Sequence, residues 1–187
     1  LIQLAPQDYL LVVVMHHIIS DGWSMVVLLR EVMGLYEAFH AGRPSPLKSL
    51  PIQYADYAVW QRQRLQNETF QSLVDYWSRR LHDVPTLNLP TDRPRSIEAR
   101  QAGATETVRL SHSLSNQLRE TARREGATPY MLLLAAFDVL LGRYSGQDDF
   151  AVGSPIAGRI GKETEGVVGF FVNSLAMRVN LADDPQF

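Results

Sequence analysis

The stretch Tyr9 to Met15, YLLVVVM, is an unbroken apolar run with three consecutive valines. β-Branched residues favour extended backbone, and a run that is apolar at every position fits a strand covered on both faces. Such a strand commits the chain to a sheet with layers on either side. The next periodic segment is helical. Met25, Leu28, Leu29, Val32, Tyr36 and Phe39 repeat at helical spacing between Trp23 and His40, and Gly42 is placed to end that helix. The proline-punctuated loop GRPSPLKSLP comes next, then two further helices, Tyr54 to Gln66 and Thr69 to Leu81, each with a tryptophan on its apolar stripe.

Residues 83–103 hold several prolines, charges of both signs and no periodicity, the pattern of a linker. The pattern then restarts. A strand is predicted at Thr105 to Leu110. A helix is predicted at Leu114 to Glu125, with Ser113 as N-cap and Gly126 as its stop. Thr128 and Pro129 are a cap and first-turn proline for an almost wholly apolar helix, Tyr130 to Leu141, which should be buried. Phe150 to Ser154 reads as a strand, and Ser174 to Leu181 alternates apolar and polar residues as a half-buried one. The fold class is α/β, with mixed elements on both sides of the break.

Composition removes several functions. A net charge of -2 gives no electrostatic basis for nucleic acid or an anionic membrane surface. With no cysteine there is no disulfide, thiolate nucleophile or zinc–cysteine site, and a reducing, cytoplasmic compartment fits. No apolar run approaches the roughly 18 residues a membrane helix needs. GRIGKET, Gly158 to Thr164, is the nearest thing to a phosphate loop. It fails, with Ile156 where the first glycine belongs and Glu163 where Ser or Thr should follow Lys162.

The chemistry concentrates in MHHIISDGWS, Met15 to Ser24. Three readings are open to it. Adjacent histidines on an extended backbone point to opposite faces and do not share an ion, so no metal site is expected. As a plain strand-to-helix turn, Asp21 caps the helix, Gly22 supplies a turn conformation and Trp23 and Ser24 begin the helix. As a reaction centre, one imidazole at the strand end accepts a proton from an attacking amine, hydroxyl or thiol. Asp21 would then fix the loop by pairing with a cation; its spacing does not demand that it activate either histidine.

The same stretch resembles the HHxxxDG motif of the chloramphenicol-acetyltransferase-like acyltransferases, and within them the condensation domains of nonribosomal peptide synthetases. YADYAVW, Tyr54 to Trp60, is similar to that family's YxDYAVW. VGFFVNSLAMR, Val168 to Arg178, is similar to VGxFVNT with a following arginine, with Ser174 where threonine is usual. GSPIAGR and LPTDRPR also look like the family. Motifs upstream of the histidines and downstream of Arg178 are missing, so the chain is expected to be an internal piece that is inactive alone, with apolar surfaces left uncovered.

The resemblance implies a two-lobe acyltransferase-like fold with its active site in a tunnel. Residues 1–88 would end the first lobe, 89–103 link, and 104–187 begin the second. It implies amide formation between a donor thioester, L-configured by the form of HHIISDGWSM, and the amino group of a carrier-bound aminoacyl thioester. O-Acylation, epimerisation or non-catalytic carrier docking are the alternatives on the same fold. No cofactor is implied on the protein itself, since both substrates ride on phosphopantetheine arms. The implied partners are carrier domains on both sides and an adenylation domain in the same polypeptide. His17 would orient the amine or take its proton, and His16 would support the strand end. Asp21 would pair with an arginine, either in this chain or upstream of it, and Gly22 would let the helix start pass close to the loop. Ser24 and Asn173 would line the tunnel. Tyr54, Asp56, Tyr57 and Trp60 read as packing, and Phe170 and Phe171 as core.

Overall fold

The computed structural model of the chain describes residues 1–66, 68–92 and 104–182. Most of the expected linker, from residue 93 to 103, lies outside the described residues. The elements run β1 (Ile2–Ala5), β2 (Asp8–Leu10), α1 (Gly22–His40), α2 (Tyr54–Arg64), α3 (Glu68–Arg80), α4 (His112–Arg124), α5 (Pro129–Ser145), β3 (Asp149–Ile156) and β4 (Asn173–Asn180). β1 and β2 form an antiparallel hairpin in which Ile2 faces Leu10 and Ala5 faces Asp8, with an irregularity between Gln3 and Ala5. β3 and β4 form a second two-stranded sheet.

Where local chemistry dictates an element, the expectation and the structure agree. Asp21 caps α1, its carboxylate accepting from the Ser24 N–H. Gly42 takes a positive φ of 66° after α1, and the Arg43 N–H reaches back to the Ala38 carbonyl, closing a Schellman turn. Gly126 does the same after α4, where the Ala127 N–H bonds the Ala122 carbonyl. Thr128 caps α5 with Pro129 in its first turn.

Four expectations are corrected. The run Tyr9 to Met15 is a strand only as far as Leu10, and Leu11 to Val14 are exposed. A strand exists only where a neighbour completes its ladder, and β1 is the single partner of β2 among the described residues. Thr105 to Leu110 likewise finds no partner and forms no strand, leaving Val108 82 % exposed. The α4 cap is Ser111, whose hydroxyl accepts from the Leu114 N–H at 3.2 Å, so Ser113 lies inside the helix. α5 is not buried throughout: Met131, Leu133, Phe137 and Leu140 are exposed, Leu132, Leu134, Ala135 and Leu141 are half-buried, and Gly142 is its buried residue. A helix apolar all round needs cover on every side, and the described residues provide it on one. The caps give a direct check. Ser111→Ala should lower stability by about 0.5–2 kcal/mol and Ser113→Ala by a few tenths at most, measured by urea denaturation.

Two units divide the described chain. The first comprises residues 1–77 and 154–175, the second 78–153 and 176–187. In the second unit Phe150, Ala122 and Val179 are buried. Gly142 of α5 makes room for this packing, since a Cβ there would fall 2.7 Å from Leu181 Cδ1 and 3.8 Å from the Phe150 ring. Arg178 ties β4 to the end of α3. It grips the Asp149 carboxylate with two N–H groups at 2.8 and 2.5 Å and donates to the carbonyls of Arg80 and His82, where a cation suits the carbonyl end of a helix. The core of the first unit is Tyr57, Val167 and Phe171, with Leu50, Ile52 and Tyr54 packed against it. α1 buries Ser24, Val27 and Ala38. Leu29, Tyr36 and Phe39 of its expected apolar stripe are exposed.

Candidate active site

The two histidines sit on the bridge from the hairpin to α1. His16 is extended, and its Nδ1 accepts from the Ile18 N–H at 3.0 Å, capping a single 3-10 turn, His17–Ile19. That bond occupies one ring nitrogen of His16 in holding the turn. His17 is exposed. Its imidazole has no hydrogen-bond partner among the described residues and meets the Phe170 ring edge-on, centroids 5.4 Å apart. Because the turn starts at His17, the histidines are not successive strand residues, and both lie at the surface of the unit.

Beneath them is a closed polar cluster. The Asp21 side chain is about 1 % exposed and that of Arg159 about 2 %. Asp21 Oδ1 accepts from the Ser24 N–H at 2.8 Å and from Arg159 Nη2 at 3.2 Å, while Oδ2 accepts from the Phe171 N–H at 3.0 Å. The Ser24 hydroxyl donates to the Gly169 carbonyl at 2.7 Å and accepts from the Gly169 N–H and from Arg159 Nη2. Arg159 Nη1 donates to the carbonyls of Thr164 and Val167, and its guanidinium lies 4.0 Å from the Phe171 ring centroid. The Trp23 indole N–H reaches the Glu165 carbonyl at 2.9 Å.

A charge pair this deep persists only if its remaining valences are satisfied. Here both carboxylate oxygens and both terminal guanidinium nitrogens are bonded, while the buried Arg159 Nε has no partner among the described residues. Both oxygens of Asp21 are therefore engaged, and neither bonds a histidine, so the cluster contains no Asp–His dyad. Its function is to tie the start of α1 to the segment 159–171.

Asp21 is the arginine-paired aspartate the resemblance implies, and its partner is Arg159, within this chain rather than upstream. Two further corrections follow from this geometry. Ser24 is fully buried with its hydroxyl saturated, so it belongs to the frame and not to a tunnel wall. Gly22 opens α1 without a positive φ, and a Cβ there would meet nothing within 4 Å. The close approach expected of Gly22 is made by Gly169, where a Cβ would fall 2.1 Å from the Tyr54 ring, and by Gly158, at φ 65° against the Phe171 carbonyl.

Asn173 is exposed at the start of β4, with its Oδ1 accepting from the Ser174 N–H at 2.8 Å. Phe171 is core at 3 % exposure; Phe170, expected to be core, is 37 % exposed beside His17. Tyr57 packs as expected, and burial pushes its hydroxyl pKa up. The sequence gives no signal for a role of Arg159 or of the Tyr54 hydroxyl, and it suggests core for Phe170. Arg159 lies where GSPIAGR and GRIGKET overlap, and neither stretch announces a partner for it.

Among the described residues no group of three or more His, Asp or Glu side chains could hold a metal, and no single helix is long and apolar enough to cross a membrane. A cavity of about 460 Å³ borders Ile52, Asp56, Tyr57, Trp60 and Ile160, and neither histidine lines it.

Burial alone pushes the Asp21 carboxyl up. The bonds from Ser24, Phe171 and Arg159 outweigh that and hold it below its ordinary 3.8. A carboxyl with a depressed folded-state pKa contributes stability that is complete above its unfolded value and is lost as pH falls through the folded one. Acid titration of unfolding free energy should therefore show a loss beginning near pH 4 and continuing below it. Asp21→Asn should remove that part of the slope.

With this geometry in view, the comparisons with known proteins are specific. The condensation-domain family model matches residues 1–187. A linear gramicidin synthase of Brevibacillus parabrevis is 48% identical over 188 residues, covering 100% of this chain and 4% of that protein. The X-domain from teicoplanin biosynthesis, solved in complex with OxyB, superposes with a TM-score of 0.77 at 29% identity, over 91% of this chain and 39% of that one. Holo-AB3403, a four-domain nonribosomal peptide synthetase bound to AMP and glycine, gives a TM-score of 0.73 at 29% identity, over 89% of this chain and 12% of that one. The chain therefore spans a small part of these relatives. Its α/β arrangement is part of the chloramphenicol-acetyltransferase-like fold, and the chain belongs to the condensation-domain family of nonribosomal peptide synthetases.

Proposed function

We propose that this segment carries the reaction histidine of a domain that joins a carrier-bound donor acyl or peptidyl thioester to the amino group of a carrier-bound aminoacyl thioester. The observation that carries the reading is the contrast between His17 and Asp21: an exposed imidazole whose ring nitrogens have no partner among the described residues, beside a buried ion pair whose carboxylate oxygens are both engaged. The amine nitrogen attacks the thioester carbonyl, the C–N bond forms and the C–S bond breaks, and the thiol leaves with a proton. The nucleophile must be a neutral, aimed amine, because an ammonium has no lone pair to donate. His17 orients that amine or receives its proton as the tetrahedral intermediate forms or collapses. The thioester already supplies the driving force, so no nucleotide is needed at this site.

In this reading residues 1–88 close one lobe, 89–103 link, and 104–187 open the second, with Asn173 near the tunnel between them. Both substrates arrive on phosphopantetheine arms of upstream and downstream carrier domains. An adenylation domain lies in the same cytoplasmic polypeptide, and the donor is L-configured. Similarity to a peptide synthase and to a four-domain synthetase supports that setting. The test is transfer by the complete domain from a loaded donor carrier to a loaded acceptor carrier or to a free alcohol, with L- and D-configured donors in parallel. The expected product is a carrier-bound amide from the L donor. Ester formation on the alcohol would instead assign O-acylation.

Similarity to the X-domain, which forms a complex with OxyB, keeps a docking role as the second reading. Carrier binding with no transfer would favour it. Residues 1–187 expressed alone should be inactive and prone to aggregate, given exposed apolar side chains such as Phe137 and Leu140 on α5. Size-exclusion chromatography and the same transfer assay check this, and a soluble, active segment would contradict it.

A further inference from the structure

The segment Gly169–Phe171 is pinned at successive residues by side chains from two other parts of the first unit. The Ser24 hydroxyl bonds both the N–H and the carbonyl of Gly169, at 3.0 and 2.7 Å. The Asp21 carboxylate takes the Phe171 N–H at 3.0 Å. Between them, the Tyr54 hydroxyl donates to the Phe170 carbonyl at 2.7 Å. Gly169 lies flush against the Tyr54 ring, where any Cβ would overlap it, and the Phe171 ring meets Tyr54 edge-on at 5.2 Å. The backbone on both sides of Phe170 is thus fixed, and its ring is held beside the His17 imidazole at 86° to it. His17 has no other ring contact and no hydrogen bond among the described residues, so the Phe170 ring is placed to orient it.

We propose that Tyr54 is a positioning residue for His17: its hydroxyl fixes the Phe170 carbonyl, and the Phe170 ring so placed holds the imidazole toward the incoming amine. This rests on His17 being the imidazole that handles the amine. Tyr54 therefore does more than fill space on α2. Its ring could be replaced by that of phenylalanine without loss of packing, but its hydroxyl could not.

The test uses the complete domain with loaded donor and acceptor carriers and compares Tyr54→Phe, Phe170→Ala, Phe170→Tyr and His17→Ala. Tyr54→Phe keeps the ring against Gly169 and is expected to fold. Its kcat should fall about tenfold with KM for both carriers unchanged, the signature of a misaimed group rather than lost binding. The imidazole resonances that vanish in His17→Ala should shift in Tyr54→Phe, which a purely structural hydroxyl would not cause. Phe170→Ala should lose at least as much rate, and Phe170→Tyr should recover most of it. Wild-type kcat and unshifted imidazole resonances in Tyr54→Phe and Phe170→Ala, beside an inactive His17→Ala, would overturn the positioning role alone. A fully active His17→Ala would overturn both this and the reading it rests on.

Discussion

Asp21→Ala should lower unfolding free energy by about 3–5 kcal/mol, the range for removing one partner of a buried ion pair. Arg159 would be left about 2 % exposed with a positive charge and no counter-charge, the Phe171 N–H would lose its acceptor, and α1 would lose its N-cap. The cap alone accounts for about 0.5–2 kcal/mol, so most of the effect comes from the stranded guanidinium. Two comparisons isolate that cause. Asp21→Asn keeps an oxygen for the Ser24 N–H and should cost less. Replacing Arg159 by methionine in the Asp21→Ala background should cost less than the two single effects added together, because the second change removes the unpaired charge. Chemical denaturation reads all of these. A loss under about 1 kcal/mol in Asp21→Ala would mean the pair behaves as a surface ion pair.

His17→Ala should do the reverse. The side chain is exposed and makes one ring contact, so unfolding free energy should change by no more than about 0.5–1.5 kcal/mol. Amide formation should fall by about 10²–10⁴-fold, the usual contribution of a placed acid–base group. His16→Ala removes the Nδ1 acceptor that holds the turn and should reduce rate less than His17→Ala, by displacing the imidazole rather than deleting it. Adjacent in sequence, the two histidines are thus separable by measurement.

What the sequence reveals and what it hides divides by range. Asp21, Thr128 with Pro129, Gly42 and Gly126 act within a turn of their own position, and each marks its helix end without knowledge of the rest of the chain. Ser111 and Ser113 are chemically equivalent caps two residues apart, and only the phase of α4 distinguishes them. YLLVVVM and residues 105–110 have strand propensity, but a ladder is a property of pairs, and the described residues offer them no further partner. Ser24 and Phe170 depart from expectation for a related reason. A small polar residue at a helix start and an aromatic beside another aromatic invite the opposite burial, and contacts 145 and 153 residues away in sequence decide it. Arg159 pairs with Asp21 across 138 residues, so nothing near either one announces the bond. The site was legible as three short motifs; how they interlock, through Arg159, Ser24 and Tyr54, was not.

The proposed division of labour is chemistry at His17 on a frame that Asp21 and Arg159 hold. Single-turnover amide formation in the complete domain tests it, wild type against His17→Ala, with both proteins shown to be folded under the assay conditions. The variant should fold, bind both loaded carriers and form dipeptide at least 100-fold more slowly. Dipeptide formation at the wild-type rate would contradict it.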